Sequence, residues 1–192
     1  MATPLTSDQR LVRRILRVNH AGEHGAVSIY GVQLKRMSAH AVDIEAWLAE
    51  TLEQERAHRA AFREAMQPRS AKPCRALGVW SVGGWFLGSV TAMLGRTGVM
   101  ACTAAVERTV HGHLQDQIAF LRCCDADLAA LVEHIQVEEL SHLAYAEANL
   151  KPGSLLARPL SVVISCATEI LIAISTRGDS IRLRRTLRRT AE

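Results

Sequence analysis

Aromatic side chains make up only 4% of this 192-residue chain, and runs that alternate β-branched with polar residues do not occur. Their absence removes the signal for a β-sandwich or barrel, and it also removes the stacking platforms of a nucleic-acid binder. The five cysteines, Cys74, Cys102, Cys123, Cys124 and Cys166, are odd in number and include no Cys-x-x-Cys. That argues against a disulfide framework and against a thiolate zinc site, and the thiols read as reduced and mostly buried in a cytosolic protein. No apolar core of signal-peptide type follows the basic start. An uninterrupted apolar run of the roughly 20 residues that a membrane span needs is missing too.

What is present is helical periodicity. At 48% apolar composition the chain reads as one all-α domain over 1–192, with a flexible start at 1–7 and a basic tail at 181–192. Thr6 or Ser7 caps a helix running to about Ala39, and a second spans roughly 42–66 before the loop around Pro68. Long helices follow near 97–123 and 126–149, ended by the Lys151-Pro-Gly-Ser break. Two borderline apolar stretches remain: 77–94 has no charge but four glycines, and 159–174 has only Glu169 as a charge. Each reads as a buried core helix, an interfacial helix or a span. The net charge of +4 is uneven, since residues 10–17 and 181–189 hold nine of the 23 basic residues. Such ends suit anionic partners, a membrane surface or nucleic acid, or simple solvation.

Glu-x-x-His occurs twice, as Glu55/His58 and Glu139/His142. With 13 glutamates and eight histidines, chance yields about 0.5 such pairs, so the motif alone is weak. Both copies, however, are related by an 84-residue shift, and the same shift carries Glu23 onto Glu107, Gln33 onto Gln117, Leu34 onto Ile118 and Leu48 onto Val132. The chain therefore reads as a duplicated helical hairpin. In each half a glutamate precedes its Glu-x-x-His by 32 residues, which places the two motifs opposite each other across a short turn. Two hairpins packed as a four-helix bundle gather four carboxylates and two imidazoles, the ligand set of the ferritin-like di-metal sites. Buried together, those carboxylates repel and lose hydration unless cations lie among them, and oxygen-rich ligation with one imidazole per ion favours iron or manganese. His113 and His20 stand near ligands in sequence and are candidates to support them, whereas His24, His40, His111 and His134 read as surface or packing residues.

The blocks RVNHAGEHGA, EQERAHRAAF, MACTAAVERTVHGHLQDQI and EELSHLAYAE, in this order, resemble the demethoxyubiquinone hydroxylase family of ubiquinone biosynthesis over about residues 11–178. The resemblance implies a ferritin-like four-helix bundle with two additional apolar helices. It implies a di-iron monooxygenase acting on a polyprenyl benzoquinone with O2 and NADH. The family's iron ligands fall on Glu23, Glu55, His58, Glu107, Glu139 and His142, a histidine near the metal site on His113, and a basic position on Arg17. Asn19, His24 and Leu114 stand where eukaryotic members carry Asp, Tyr and Tyr; these changes leave the ligands intact and fit a bacterial member. The implied location is peripheral, on the cytoplasmic face of the inner membrane, with a second copy or a lipid-presenting accessory protein as partner and no nucleic acid. The competing readings are an iron-oxidising or iron-storing ferritin-like protein, a manganese catalase-type enzyme, and a basic helical binding module without catalysis.

Overall fold

Thr6 opens the first helix with a reciprocal cap: its Oγ1 accepts from the Gln9 amide at 3.2 Å, and its own amide donates to Gln9 Oε1 at 3.0 Å. The structure is a computed structural model describing residues 5–37, 42–150 and 157–190. Among the described residues it contains seven helices and no strand: α1 (Ser7–Met37), α2 (Val42–Ala65), α3 (Leu77–Met93), α4 (Gly95–Cys124), α5 (Ala126–Ala148), α6 (Ala157–Ser175) and α7 (Asp179–Thr190). His40 and the break at 151–154 lie outside the described residues.

α1, α2, α4 and α5 form the expected four-helix bundle. The contacts Tyr30–Glu107 and Asn19–Gln117 show that α1 and α4 run antiparallel, and His24–Arg59 and Arg108–Glu147 lie across the hairpins α1–α2 and α4–α5. One apolar cluster fills each end. Leu34 and Leu48 belong to the cluster around Tyr30, Ile44 and Met100, whereas their repeat mates Ile118 and Val132 belong to the cluster around Leu16, Phe62 and Leu121. Mates at opposite ends mean that the hairpins are related by an approximate twofold axis crossing the middle of the bundle. The two Glu-x-x-His motifs sit at that midpoint, between the two apolar ends.

α3 and α6 are added to the outside of α1 and α4. Gly84 and Gly88, one turn apart, let α3 press against the α1 backbone: a Cβ on Gly84 would lie 2.4 Å from Gly25 O, and one on Gly88 2.6 Å from Ile29 O. Two of the four glycines in this stretch therefore serve close helix contact. The opposite face of α3 exposes Val79, Val82, Trp85, Phe86 and Met93, and α6 exposes Val162, Val163, Ile170 and Ile174. α3 is thus half core and half exposed apolar surface. By length and composition α6 is the one helix among the described residues able to cross a membrane.

Two expectations are corrected. The basic C-terminal segment is a helix rather than a tail: α7 buries Leu183, and Arg184 Nε reaches Asp116 Oδ2 on α4 at 2.8 Å. The cysteines are mostly not buried. Cys102 is, Cys74 is half-buried, and Cys123, Cys124 and Cys166 are exposed, because the last turn of α4 and the outer face of α6 point away from the core.

Candidate metal centre

The i, i+3 spacing puts Glu55 beside His58 on α2, and Glu139 beside His142 on α5, each pair on its bundle-facing side. Glu23 on α1 and Glu107 on α4 complete the set, and all six side chains are buried. They form two overlapping groups, Glu23–Glu55–His58–Glu139 and Glu55–Glu107–Glu139–His142, whose ligand atoms lie within 4.8 Å of one another. Glu55 and Glu139 belong to both groups, so the arrangement suits two adjacent cations bridged by shared carboxylates.

Hydrogen bonding supports that reading. Both oxygens of Glu55, Oε2 of Glu139 and Nδ1 of His142 are buried without a partner in hydrogen-bond geometry, the imidazole only facing the two carboxylates at 3.4–3.5 Å. Orphaned acceptors of this kind are costly in an apolar interior unless a cation takes them up. Burial first, then the Glu139 charge, raises the Glu23 carboxyl to about 7. Burial and Glu139 likewise push Glu55 and Glu107 well above the ordinary carboxylate range. At Glu139 burial is outweighed by the neighbouring imidazoles of His142 and His58, and its pKa is lowered. Burial opposes charge on His58 too, yet the Glu139 hydrogen bond and the neighbouring carboxylates bring its imidazole to about 9. The residues present fit two divalent metal ions: four carboxylates and two imidazole nitrogens, held together at a cost that cations remove.

Each imidazole turns Nδ1 inward, His58 towards Glu139 Oε1 at 3.1 Å and His142 towards Glu139 and Glu55 at 3.4 and 3.5 Å. The outward Nε2 atoms are fixed by the opposite hairpin. His58 Nε2 meets Glu138 Oε2 at 2.5 Å, and His142 Nε2 meets Gln54 Oε1 at 2.6 Å. Glu138 and Gln54 are themselves mates under the 84-residue shift, so each half orients the other half's ligand. No helical spacing of their own marks these two residues, although they immediately precede Glu55 and Glu139 and obey the same shift. Tyr30 was missed as well: its hydroxyl donates to Glu107 Oε1 at 2.7 Å.

A cavity of about 350 Å³ reaches this cluster, with Glu23, Glu55, Glu107 and Glu139 among its lining residues. Its walls are chiefly apolar, including Val18, Ile29, Trp80, Leu87, Val106 and Leu171, and Phe86 and Val163 line it as well, so it lies between the exposed faces of α3 and α6. Besides those glutamates, its polar lining is the reciprocal amide pair Asn19–Gln117, at 2.8 and 3.0 Å, with His113 and Thr168. His113 stands apart from the six ligand candidates; its Nε2 is held at 2.9 Å by Glu169 of α6. His20 is buried with Nδ1 unpartnered, and burial, with His24, Arg63 and Arg59, lowers its pKa to about 4. Arg17 sits on α1 with Nε donating to Lys72 O at 3.2 Å.

The sequence matches the family model described as ubiquinone biosynthesis protein COQ7 over residues 10–175. It is 36% identical over 171 residues to a 3-demethoxyubiquinol 3-hydroxylase of Rhodospirillum rubrum, covering 89% of this chain and 80% of that one. A mitochondrial NADPH-dependent 3-demethoxyubiquinone 3-hydroxylase of Rattus norvegicus is 35% identical, over 84% of this chain and 76% of its own length. A 3-demethoxyubiquinol 3-hydroxylase of Variovorax paradoxus is 29% identical, over 89% and 80%.

Proposed function

The chain belongs to the COQ7 family of ubiquinone biosynthesis proteins, and from that premise we propose that it is a monooxygenase hydroxylating the ring of a polyprenyl demethoxyubiquinone. The observation that carries this reading is the junction of an apolar cavity with six buried ligand side chains from four helices. A quinone ring with a lipid tail needs such a passage, open to lipid at one end and to redox chemistry at the other. In balance, the ring C–H, O2, a reduced nicotinamide dinucleotide and a proton give the ring C–OH, water and the oxidised dinucleotide. NADH is the donor expected from the resemblance, and mitochondrial relatives carry NADPH in their names.

In this reading Glu23, Glu55, His58, Glu107, Glu139 and His142 would hold two iron ions, which would supply the redox chemistry with O2 where the cavity meets the cluster. The chain does the rest. Glu55 and Glu139, which belong to both groups, would serve both positions, while Glu138 and Gln54 fix the histidine rings. The walls of Val18, Trp80 and Leu171 exclude water and stack the ring in place. His113, tethered by Glu169, is the catalytic side chain that offers its imidazole edge to a ring oxygen. The exposed residues of α3 and α6 enter the cytoplasmic leaflet of the inner membrane, with Arg182 and Arg185 of α7 near the headgroups. The whole of 1–192 acts as one di-iron domain, and a second copy or a lipid-presenting protein that covers the same apolar faces is compatible with it.

The test is to load the protein with ferrous iron in mild detergent, supply a short-tailed demethoxyubiquinone, NADPH or NADH and labelled O2, and weigh the quinone. One labelled oxygen in the product, lost in Glu139→Ala, is the expected result. Iron uptake and O2 consumption with an unchanged quinone would sink the substrate assignment and leave a ferritin-like iron oxidase.

A further inference from the structure

The outer face of the α1–α2 hairpin carries a charge arrangement that its repeat mate lacks. His20 and His24 on α1 stack with ring centroids 6.2 Å apart, and Arg59 Nη1 on α2 lies 3.4 Å from His24 Nδ1. Arg63 follows one turn along α2, and both guanidinium groups act on His20. Among the described residues neither Arg59 nor Arg63 forms an ion pair with a carboxylate; the ion pairs of α2 are made by Asp43, Glu53, Glu55, Arg56 and His58. The shift of 84 residues carries His24 onto Arg108 and Arg63 onto Glu147, and there Arg108 Nη2 meets Glu147 Oε1 at 2.5 Å. The second hairpin neutralises this rung internally, whereas the first leaves two arginines and two imidazoles facing one another.

Cationic and imidazole groups held together without an acid are stabilised by an anion, and arginine pairs match phosphate oxygens in shape and charge. The buried Nδ1 of His20 adds a polar atom with no hydrogen-bond partner among the described residues. The position is informative as well. His24 follows the ligand Glu23 and Arg59 follows the ligand His58, so an anion here lies one residue from the metal centre on two helices. α2 packs on α1 and α5, whereas the exposed apolar faces are on α3 and α6, so a lipid headgroup is the less fitting source of phosphate.

We propose that the His20–His24–Arg59–Arg63 face binds the phosphates of a reduced nicotinamide dinucleotide and seats the electron donor beside the Glu23–His58 side of the centre. This rests on the hydroxylase reading above. A dinucleotide docked there gives up a hydride, two electrons and a proton, which with one further proton from solvent take the second atom of O2 to water.

The test is to titrate the iron-loaded, full-length protein with NADPH in the absence of O2. Arg63→Glu copies the charge that Glu147 supplies in the other hairpin. It is expected to weaken NADPH binding at least tenfold and to raise the KM for NADPH by a similar factor, with the KM for quinone and the iron content unchanged. Inorganic pyrophosphate should displace NADPH from the natural protein, and Glu147→Arg should leave NADPH affinity as it was. Arg59→Gln serves as the second variant if Arg63→Glu loses helicity. Equal NADPH affinity with and without these changes overturns the proposal, as does a natural protein that binds no NADPH. If Arg63→Glu instead abolishes binding to phosphatidylglycerol vesicles and spares NADPH, the site belongs to a lipid headgroup and the proposal fails. A natural protein that leaves the quinone unchanged even with dithionite as reductant marks failure of the hydroxylase reading itself.

Discussion

The two hairpins of the bundle share a skeleton and differ in what surrounds it. Glu23, Glu55 and His58 in α1–α2 repeat as Glu107, Glu139 and His142 in α4–α5, but the neighbours have diverged. Tyr30 donates to Glu107, while its mate Leu114 brings no hydroxyl towards Glu23. A carboxylate, Glu138, backs His58, and a neutral amide, Gln54, backs His142. The outer rung is neutral in one half and basic in the other. Duplication repeats the geometry of the six side chains, and divergence of their neighbours makes the two sides of the cluster unequal: His58 is held by a carboxylate where His142 meets an amide, and Glu107 accepts from a tyrosine that has no counterpart beside Glu23.

The comparison breaks completely at the residues both positions share. Glu139→Ala is expected to remove both ions and to lower hydroxylation by about a thousandfold or more, whereas Glu23→Ala should lose metal from one position. Metal content per chain distinguishes the two, and equal losses would refute the bridging role.

Removing the ions tests the acid cluster itself. A carboxyl whose pKa is raised by folding contributes stability below its ordinary value and loses it as the pH climbs through the folded value. Glu23 moves from 4.5 to about 7, and Glu55 and Glu107 move the same way. Glu139 moves in the opposite direction, so its contribution is already complete above its ordinary range. Chelator-treated protein should therefore lose roughly 10 °C of Tm between pH 4.5 and 7, while iron-loaded protein stays flat. Parallel curves with and without metal would mean that the cluster holds none.

Exchanging the outer partners sharpens the contrast between the positions. Glu138→Gln should weaken the Glu23–His58 position about tenfold in stepwise metal titration and leave the other unchanged. Gln54→Glu should strengthen the His142 position. The smallest effect belongs to Tyr30→Phe, which removes one buried hydrogen bond to Glu107 at a cost of about 1–2 kcal/mol, read as a few degrees of Tm.

The six clustered side chains were legible because their gathering rests on local rules: i, i+3 spacing on a helix and a constant shift between repeats. Gln54, Glu138 and Tyr30 were not found, since each acts on a residue of the other hairpin and no periodicity within its own helix marks it. The basic face escaped notice for the same reason, His24 having been assigned to surface or packing; only its contact with Arg59 and the contrast with Arg108–Glu147 distinguish it. The exposed cysteines and the helical end of the chain were misjudged because residue type does not say which face of a helix meets another.

By itself the sequence determined the helices, their duplication and the six side chains able to gather around two cations, because these depend on the 3.6-residue turn and on spacing along the chain. Tertiary packing alone decided the rest: the close seating of α3 on α1 through Gly84 and Gly88, the cavity between α3 and α6, and the crossed hydrogen bonds of the histidines. Those features depend on how deeply remote segments bury one another, and burial sets both the desolvation that makes four carboxylates require cations and the apolar passage that leads to them.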